Sequence, residues 1–535
     1  MRQIKWFFTG IIFITAITIT YIWQNNFTEE EMLSGEEGNS TLPNSTAVHT
    51  VPVKEADTIF ETINASEPSV NHADFASSTS GKNSKYYLPF PSNNYSTGDV
   101  LSVIVETYDH SGKRRSSGGD FFIARLFNNK LNSDCSGTVY DFNNGTYLIT
   151  FPLYWKGEAY ISIKLYHSAQ AVSVLRMLRE NYTRRSAFKG IFVFSKVEEN
   201  TECSFDMSPE ENVCDFSDVN SGVKWFCRKP PKLSCGHFRY HQCYSQQQYP
   251  LNQQESQLLQ SGNILTDIVP MGPSSIVVQS KDQAIKMPPC AVKPFEPKDS
   301  TGFVFNGTWN PSECQMQQFH TEEKVVQCLK GKKIYSIGDS TSRQWWEYLV
   351  NQVPSFNVVH KGKLERTDQH LAVEFTHNIL LQWRPHGTPW ETGERYNFLN
   401  LQPTANQINS IFGGNEFVII LSLGAHFTPF PLKPYIERLV NIKTALKRLL
   451  ARNPGTKVIV KSTNTREVSS DLLFRSDWLT FQQNRAMKEV FKGLTIGFID
   501  AWDVTVAYGS WAAHPSHHII QNEVDLLLSY ICPAE

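Results

Sequence analysis

The segment GKKIYSIGDSTSRQWWEYLV, residues 331–350, holds the serine best placed to do chemistry. Lys333 to Ile337 is a short β-rich run, Gly338-Asp339-Ser340 is a tight turn, and Ser342 to Val350 reads as helix with Trp346 and Leu349 on one face. A strand, a sharp turn and a helix put a serine hydroxyl at the carboxyl edge of a parallel sheet. There it also sits over a helix N-terminus, whose unpaired amides can hold an oxyanion. The chemistry implied is nucleophilic attack on an acyl carbon by Ser340, with Gly338 among the oxyanion candidates. A Gly-Asp-Ser triplet is common by chance; the extended pattern GDS-x-x-R-[NQ]-x-x-x-x-L at a strand end is far more specific. Asp339 is expected to brace the turn. Arg343, one helical turn on, is read as a substrate contact, a brace or a salt-bridge partner. Trp383-Arg384-Pro385-His386-Gly387 follows a second strand, and Arg384 or His386 there could take a carboxylate of a sugar or acyl donor.

The elements that must position these residues are apolar strands alternating with helices. Ile379 to Trp383, Phe417 to Leu423, Lys457 to Ser462 and Thr495 to Asp500 read as strands, with helices at Lys433 to Ala451 and Phe481 to Phe491. That alternation predicts an α/β doubly wound parallel sheet, whose active site gathers at the carboxyl ends of the strands. From about Tyr86 to Val197 the pattern changes to short alternating segments separated by turn residues such as Asn143-Asn144-Gly145, and predicts an all-β, Ig-like sandwich. The fold class expected is therefore multidomain α+β.

The segments GDVLSVIVETYDHSGKRRSSGGDFFIARL (98–126) and DFNNGTYLITFPLYWKGEAYISIKLYHSAQAVSVL (141–175) resemble the neurexophilin domain, which implies a binding or scaffold module. The serine block resembles the first block of SGNH/GDSL-type esterases, and more closely the PC-esterase branch, which includes polysaccharide and sialic-acid O-acetyltransferases. GTWNPSECQ (307–315), upstream of it, is similar to the G-x-W-x-P…C segment of that branch. The order of the two modules resembles the NXPE family (neurexophilin and PC-esterase domain) over about residues 85–535.

The resemblance implies further site residues. His514, before Pro515 in DAWDVTVAYGSWAAHPSHH (500–518), matches the last-block histidine that deprotonates the nucleophile and reprotonates the leaving alcohol. His517 and His518 are read as local polar contacts. In Gly424-Ala425-His426-Phe427, His426 stands where SGNH esterases carry an asparagine oxyanion donor; a donor role and a plain strand-end histidine stay open. The usual D-x-x-H acid is missing, because Trp511 occupies its position. Asp503 or Asp500 would have to supply that carboxylate; otherwise the domain is a weak dyad or a degenerate esterase.

Arg2 and Lys5 precede an uncharged run of 18 residues, Trp6 to Trp23, roughly 27 Å long as a helix. It lacks a small-residue cleavage site, which favours a signal-anchor over a removed signal peptide and a type II orientation. Eight sequons, at Asn26, Asn39, Asn44, Asn64, Asn94, Asn144, Asn181 and Asn306, point to the secretory lumen. The even set of ten cysteines does the same: Cys135, Cys203, Cys214, Cys227, Cys235, Cys243, Cys290, Cys314, Cys328 and Cys532. Cys314 and Cys328 flank a short loop and are the expected pair, with Cys532 pairing to Cys290 or another upstream cysteine. The spacing of Cys227, Cys235 and Cys243 with His237 and His241 does not match zinc knuckles, so no metal is expected. Residues 25–80 are rich in Ser, Thr, Asn and Glu and read as a flexible stem, and 244–270 as a Gln/Ser-rich linker. A net charge of −2 gives no electrostatic case for nucleic acid.

These readings divide the chain into an anchor or signal (1–24), a glycosylated stem (25–80), a neurexophilin-like sandwich (81–200), a Cys-rich segment and linker (201–300) and a PC-esterase/SGNH-type domain (301–535). The function expected is O-acetyl transfer to, or ester hydrolysis on, a luminal glycan such as sialic acid on glycoproteins. No cofactor is expected to be held; acetyl-CoA is the expected acyl donor. The location expected is the Golgi, as a type II membrane protein, or outside the cell. The rival expectation is a secreted binding protein, with a cell-surface partner for the neurexophilin-like domain.

Overall fold

The computed structural model describes residues 50–67, 74–92, 94–182, 184–208, 212–246, 251–281, 287–359, 369–391, 393–467 and 472–534. The expected membrane anchor, Asn26, Asn39 and Asn44 lie outside these residues. Among the described residues no helix is long and apolar enough to cross a membrane.

The site is carried by a sheet whose core strands are β1 (Lys333–Gly338), β2 (His370–Glu374), β3 (Ile379–Pro385), β4 (Phe417–Ser422), β5 (Lys457–Lys461) and β6 (Thr495–Ile499). The order β6-β5-β4-β1-β3 is parallel throughout, and β2 adds antiparallel to β3. Alternate residues of each strand serve opposite faces, as the pleat requires. Val418 and Ile420 of β4 join one apolar cluster with α1 (Ser340–Gln352) and α5 (His517–Ile531). Ile419 and Leu421 join the other, with α2 (Leu432–Arg452) and α3 (Asp477–Phe491). Helices thus cover both faces. The chain leaves β1 for β3 on one side and returns to β4 on the other, a reversal that opens a crevice at the carboxyl end of β1.

N-terminal to this, a five-stranded and an eight-stranded sheet pack face to face. Leu101, Val103, Tyr147 and Ile149 of one meet Phe122, Leu126, Ile161 and Ile163 of the other in a single core. The strands Ser275–Gln279 and Gly302–Phe305 complete the larger sheet, so residues well beyond 200 build the sandwich. A third sheet runs through the Cys-rich segment and ends on Tyr396–Asn397, paired to Tyr240 and His241. The two halves therefore share backbone ladders.

Two stretches read as flexible are packed. Thr50–Ala65, inside the expected stem, is a helix whose Ala56 and Ile63 are buried against α2 and α3. Ala56, Ile59, Phe60 and Ile63 have helical spacing, which the surrounding Ser/Thr-rich composition obscures. Glu67 then receives Arg179 at 2.8 Å. Within the expected linker, Asn252 and Glu255 form a reciprocal capping box on the helix Gln253–Leu258, and Leu258 and Leu259 are buried.

The disulfides correct the expected pairing. Cys290 bonds Cys314, and Cys328 bonds Cys532. Cys328 lies on the helix Glu322–Leu329, which packs against α5 and points the thiol at the C-terminus rather than at the loop holding Cys314. Cys203–Cys227 and Cys214–Cys235 staple the third sheet, and Cys135 and Cys243 are buried outside any disulfide. Cys328–Cys532 closes a loop of 204 residues and Cys290–Cys314 one of 24. On chain-entropy grounds, opening the long loop with C328S/C532S should cost about 2 kcal/mol more than C290S/C314S. Chemical denaturation of the two double variants checks this order.

Candidate active site

At the crevice, Asp339 ends β1 and caps α1. Its carboxylate accepts from the Thr341 amide at 2.9 Å and the Thr341 hydroxyl at 2.7 Å, leaving Ser340 at the first position of the helix. The first amides of a helix lack intrahelical acceptors, so an anion formed at Ser340 would meet unpaired donors and the positive end of the helix dipole. The other Asp339 oxygen accepts from the Ala425 amide at 3.1 Å, tying the loop after β4 to the serine turn. Gly338 is held tightly here: a Cβ would stand 2.5 Å from the Ser422 carbonyl and 2.6 Å from Ser342 Oγ. Burial alone would raise the Asp339 carboxyl, but His426, Lys461 and the Thr341 hydroxyl outweigh it and hold it at about 2. Asp339 is thus a fixed anion that braces the turn.

Ser340 Oγ lies 2.7 Å from His514 Nε2. His514 sits on an exposed loop between α4 (Ala501–Ala507) and α5, pinned from two sides. Asn464 Nδ2 donates to the Ala512 and Ala513 carbonyls at 3.2 and 3.4 Å, and Gln344 of α1 donates to the Pro515 carbonyl at 3.3 Å. These two positioning residues escaped the sequence reading. KSTNTRE (461–467) at the carboxyl end of β5 was the available signal, since polar residues there face the same crevice.

The structure places the two candidate acids elsewhere. The Asp503 carboxylate accepts from Ser136 Oγ and from the Thr301 amide and hydroxyl, at the latter two from 2.5 and 2.7 Å. Those partners belong to the sandwich sheet and its junction, so Asp503 fastens the two halves together. Asp500 accepts from Ser462 Oγ at 2.8 Å and pairs with Lys488 at 2.6 Å.

The remaining candidates divide. His426 lies on a short turn, Ala425–Phe427, beside Asp339, and Gly424 before it admits no side chain: a Cβ would overlap Thr463. Burial lowers His426 to about 4; Asp339 opposes this, while Arg466, Arg475 and His514 add to it. His386 is fully buried, with Nε2 3.1 Å from His426 Nδ1. Arg384 projects to the sheet face opposite Trp383 and α1, beside Tyr335. Arg343 pairs with Glu347 at 3.0 Å and lies over the Trp383 ring. His518 contacts the Gly307 carbonyl at 2.6 Å, and the His517 ring lies against Tyr348. Among the described residues no group of His, Cys, Asp and Glu could hold a metal ion; Cys227 and Cys235 are spent in disulfides, and His241 Nε2 lies 3.0 Å from the Trp390 carbonyl. Asn94, Asn144, Asn181 and Asn306 are exposed, and Asn64 accepts from Arg176 at 2.5 Å.

Three histidines around the crevice, the buried His241 and His386 and the half-buried His426, titrate below the ordinary imidazole range: desolvation lowers His241 and His426 to about 4 and His386 well below 6.5. A depressed histidine stabilises the fold above its unfolded value, and that contribution is lost as pH falls through 6.5 toward 4. The histidines' share of the stability should therefore drop between pH 7 and 5. His241→Gln or His426→Gln should flatten that slope by about one proton each, as read by denaturation at several pH values.

Family models match both halves. Residues 82–257 match the neurexophilin model, and residues 309–532 match the C-terminal domain described as NXPE family member 4-like. The two matches stand in the order seen along the fold, the sandwich and third sheet first and the serine-bearing sheet second. This chain belongs to the NXPE family.

Proposed function

We propose that this protein transfers or hydrolyses acyl esters through Ser340 in an SGNH-type site, with a luminal glycan as the acceptor or ester substrate. The observation that carries this reading is the 2.7 Å contact between Ser340 Oγ and His514 Nε2 at a strand-to-helix elbow. His514 takes the serine proton as Oγ bonds the acyl carbon. The carbonyl electron pair moves to oxygen, over the first amides of α1. Collapse expels the alcohol or thiol, which takes the proton from His514, and a sugar hydroxyl or water then releases the acyl group by the reverse steps. Acetyl is the acyl group proposed, with acetyl-CoA as donor and sialic acid on glycoproteins as acceptor. Four disulfides support an oxidising compartment; the Golgi, with an N-terminal anchor, is the location proposed.

One observation favours a second reading. Asp500 and Asp503 are engaged by Lys488, Ser462, Ser136 and Thr301. A site oriented without either carboxylate suits a degenerate esterase that binds glycans, with the neurexophilin-like half taking a cell-surface partner.

The luminal chain, assayed for O-acetyl transfer and for acetyl-ester hydrolysis, separates the two. Ser340→Ala and His514→Ala should each lower turnover by about 10³-fold or more, with unchanged thermal unfolding. Turnover that survives both substitutions, or none from the parent with acetyl-CoA and sialylated acceptors, would reject the enzyme reading.

A further inference from the structure

His386 and His426 share one hydrogen-bond line, with His386 Nε2 3.1 Å from His426 Nδ1. Burial keeps both rings neutral at pH 7, so one proton lies between them and only two arrangements are open. In the first, His386 Nε2–H donates to His426 Nδ1. His386 Nδ1 is then a bare acceptor, and the His426 proton sits on Nε2. In the second, His426 Nδ1–H donates to His386 Nε2. A neutral His386 must then carry its proton on Nδ1.

The surroundings of His386 decide between them. Its Nδ1 is buried and meets no hydrogen-bond partner among the described residues. The ring packs between Trp390 and Phe427, with centroids at 5.0 and 4.7 Å. Its own carbonyl accepts from the Thr404 hydroxyl at 2.9 Å and pulls weakly on the ring, but it is not placed to take a hydrogen bond from Nδ1. The second arrangement would strand an N–H in that apolar pocket, and orphaned buried N–H groups are rarer than unmet acceptors. The first leaves only a lone pair unmet.

His426 itself is held in place from three directions. Nδ1 faces His386, the ring stands edge-on to Trp390 with centroids 4.5 Å apart, and the preceding amide is bonded to Asp339. Nε2 makes no hydrogen bond among the described residues, and the charges acting on the ring include Asp339 and His514, the two neighbours of Ser340.

We propose that His386 is a positioning residue that locks His426 in the Nε2–H tautomer, making His426 a hydrogen-bond donor to the oxyanion formed at Ser340. The proposal rests on the acyl-transfer reading for its catalytic consequence. No proton leaves His426 in the step; it donates a hydrogen bond while His514 carries the proton.

Two measurements on the intact luminal chain test this. Two-bond proton–nitrogen correlation spectra of protein labelled with ¹⁵N-histidine, at pH 7, report which nitrogen of each ring is protonated; His426→Gln and His386→Phe assign the signals. The expected result is Nε2–H on both rings, and a proton on His426 Nδ1 overturns the proposal. In kinetics, His386→Phe removes the donor, and His386→Gln keeps an amide that can donate to His426. Phe should lower kcat by about 10²-fold with KM within about twofold, and Gln should recover most of the loss. Equal losses in both, tracking thermal stability, would reduce His386 to packing and also overturn it. A parent protein with Nε2–H on His426 but no Ser340-dependent turnover would reject the acyl-transfer reading and leave the hold of His386 on His426 standing.

Discussion

The Asp339 carboxylate is the knot on which the site depends. One oxygen fixes the start of α1 through Thr341, and the other fixes the loop after β4 through Ala425. Ser340, the proposed nucleophile, and His426, the proposed oxyanion donor, follow different strands, and this one anion ties their turns together. A buried carboxylate is costly unless its hydrogen bonds and counter-charges are complete. Here Thr341 and Ala425 supply the hydrogen bonds and Lys461 the counter-charge. Lys461 is itself fully buried, and faces Glu523 at 4.0 Å, which in turn accepts from Trp345 Nε1 at 2.8 Å. The serine turn therefore sits on a closed polar network reaching β5, α1 and α5.

The neurexophilin-like half is part of that support. Arg185, fully buried just before the strand Ser186–Phe194 of the third sheet, donates to the carbonyls of Pro429 and Thr428, just beyond His426. His241 of the same sheet lies against the Trp390 carbonyl, and Trp390 is the ring on which His426 rests. From the other side, Asp503 ties α4 to Ser136 and Thr301. A change in the sandwich or third sheet can thus move groups beside Ser340 without touching it. This coupling runs through direct contacts, so separating the halves would expose Arg185, His241 and Asp503 with their partners gone.

Much of this was legible in the chain. Strand, turn and helix around Ser340 follow from local pattern, and the resemblance supplied His514. Asn464 was legible only as one polar residue among several at the carboxyl end of β5, and Gln344 not at all, because their partners are backbone carbonyls of a loop and carry no side-chain signature. The tie between Asp503 and Ser136 spans 367 positions, and no spacing rule reaches that far. Cys328 found Cys532 instead of its near neighbour because helix packing aims the thiol, and packing direction is absent from residue counts. The helix at Thr50–Ala65 was hidden by averaging composition over a window whose masking residues lay outside it.

The placement of His514 shows how a missing D-x-x-H acid can be offset in part. In a triad the carboxylate both holds the ring and stabilises its charged form. The loop contributes holding of its own: Asn464 fixes Ala512 and Ala513, Thr465 bonds the Ser510 carbonyl, and Gln344 fixes Pro515. These bonds are neutral and short in range. They set where Nε2 lies. Cations crowd the same crevice, with Lys461, Arg466 and Arg475 acting on Asp339 or His426. That field favours the negative charge that the proposed tetrahedral oxygen would carry beside Ser340.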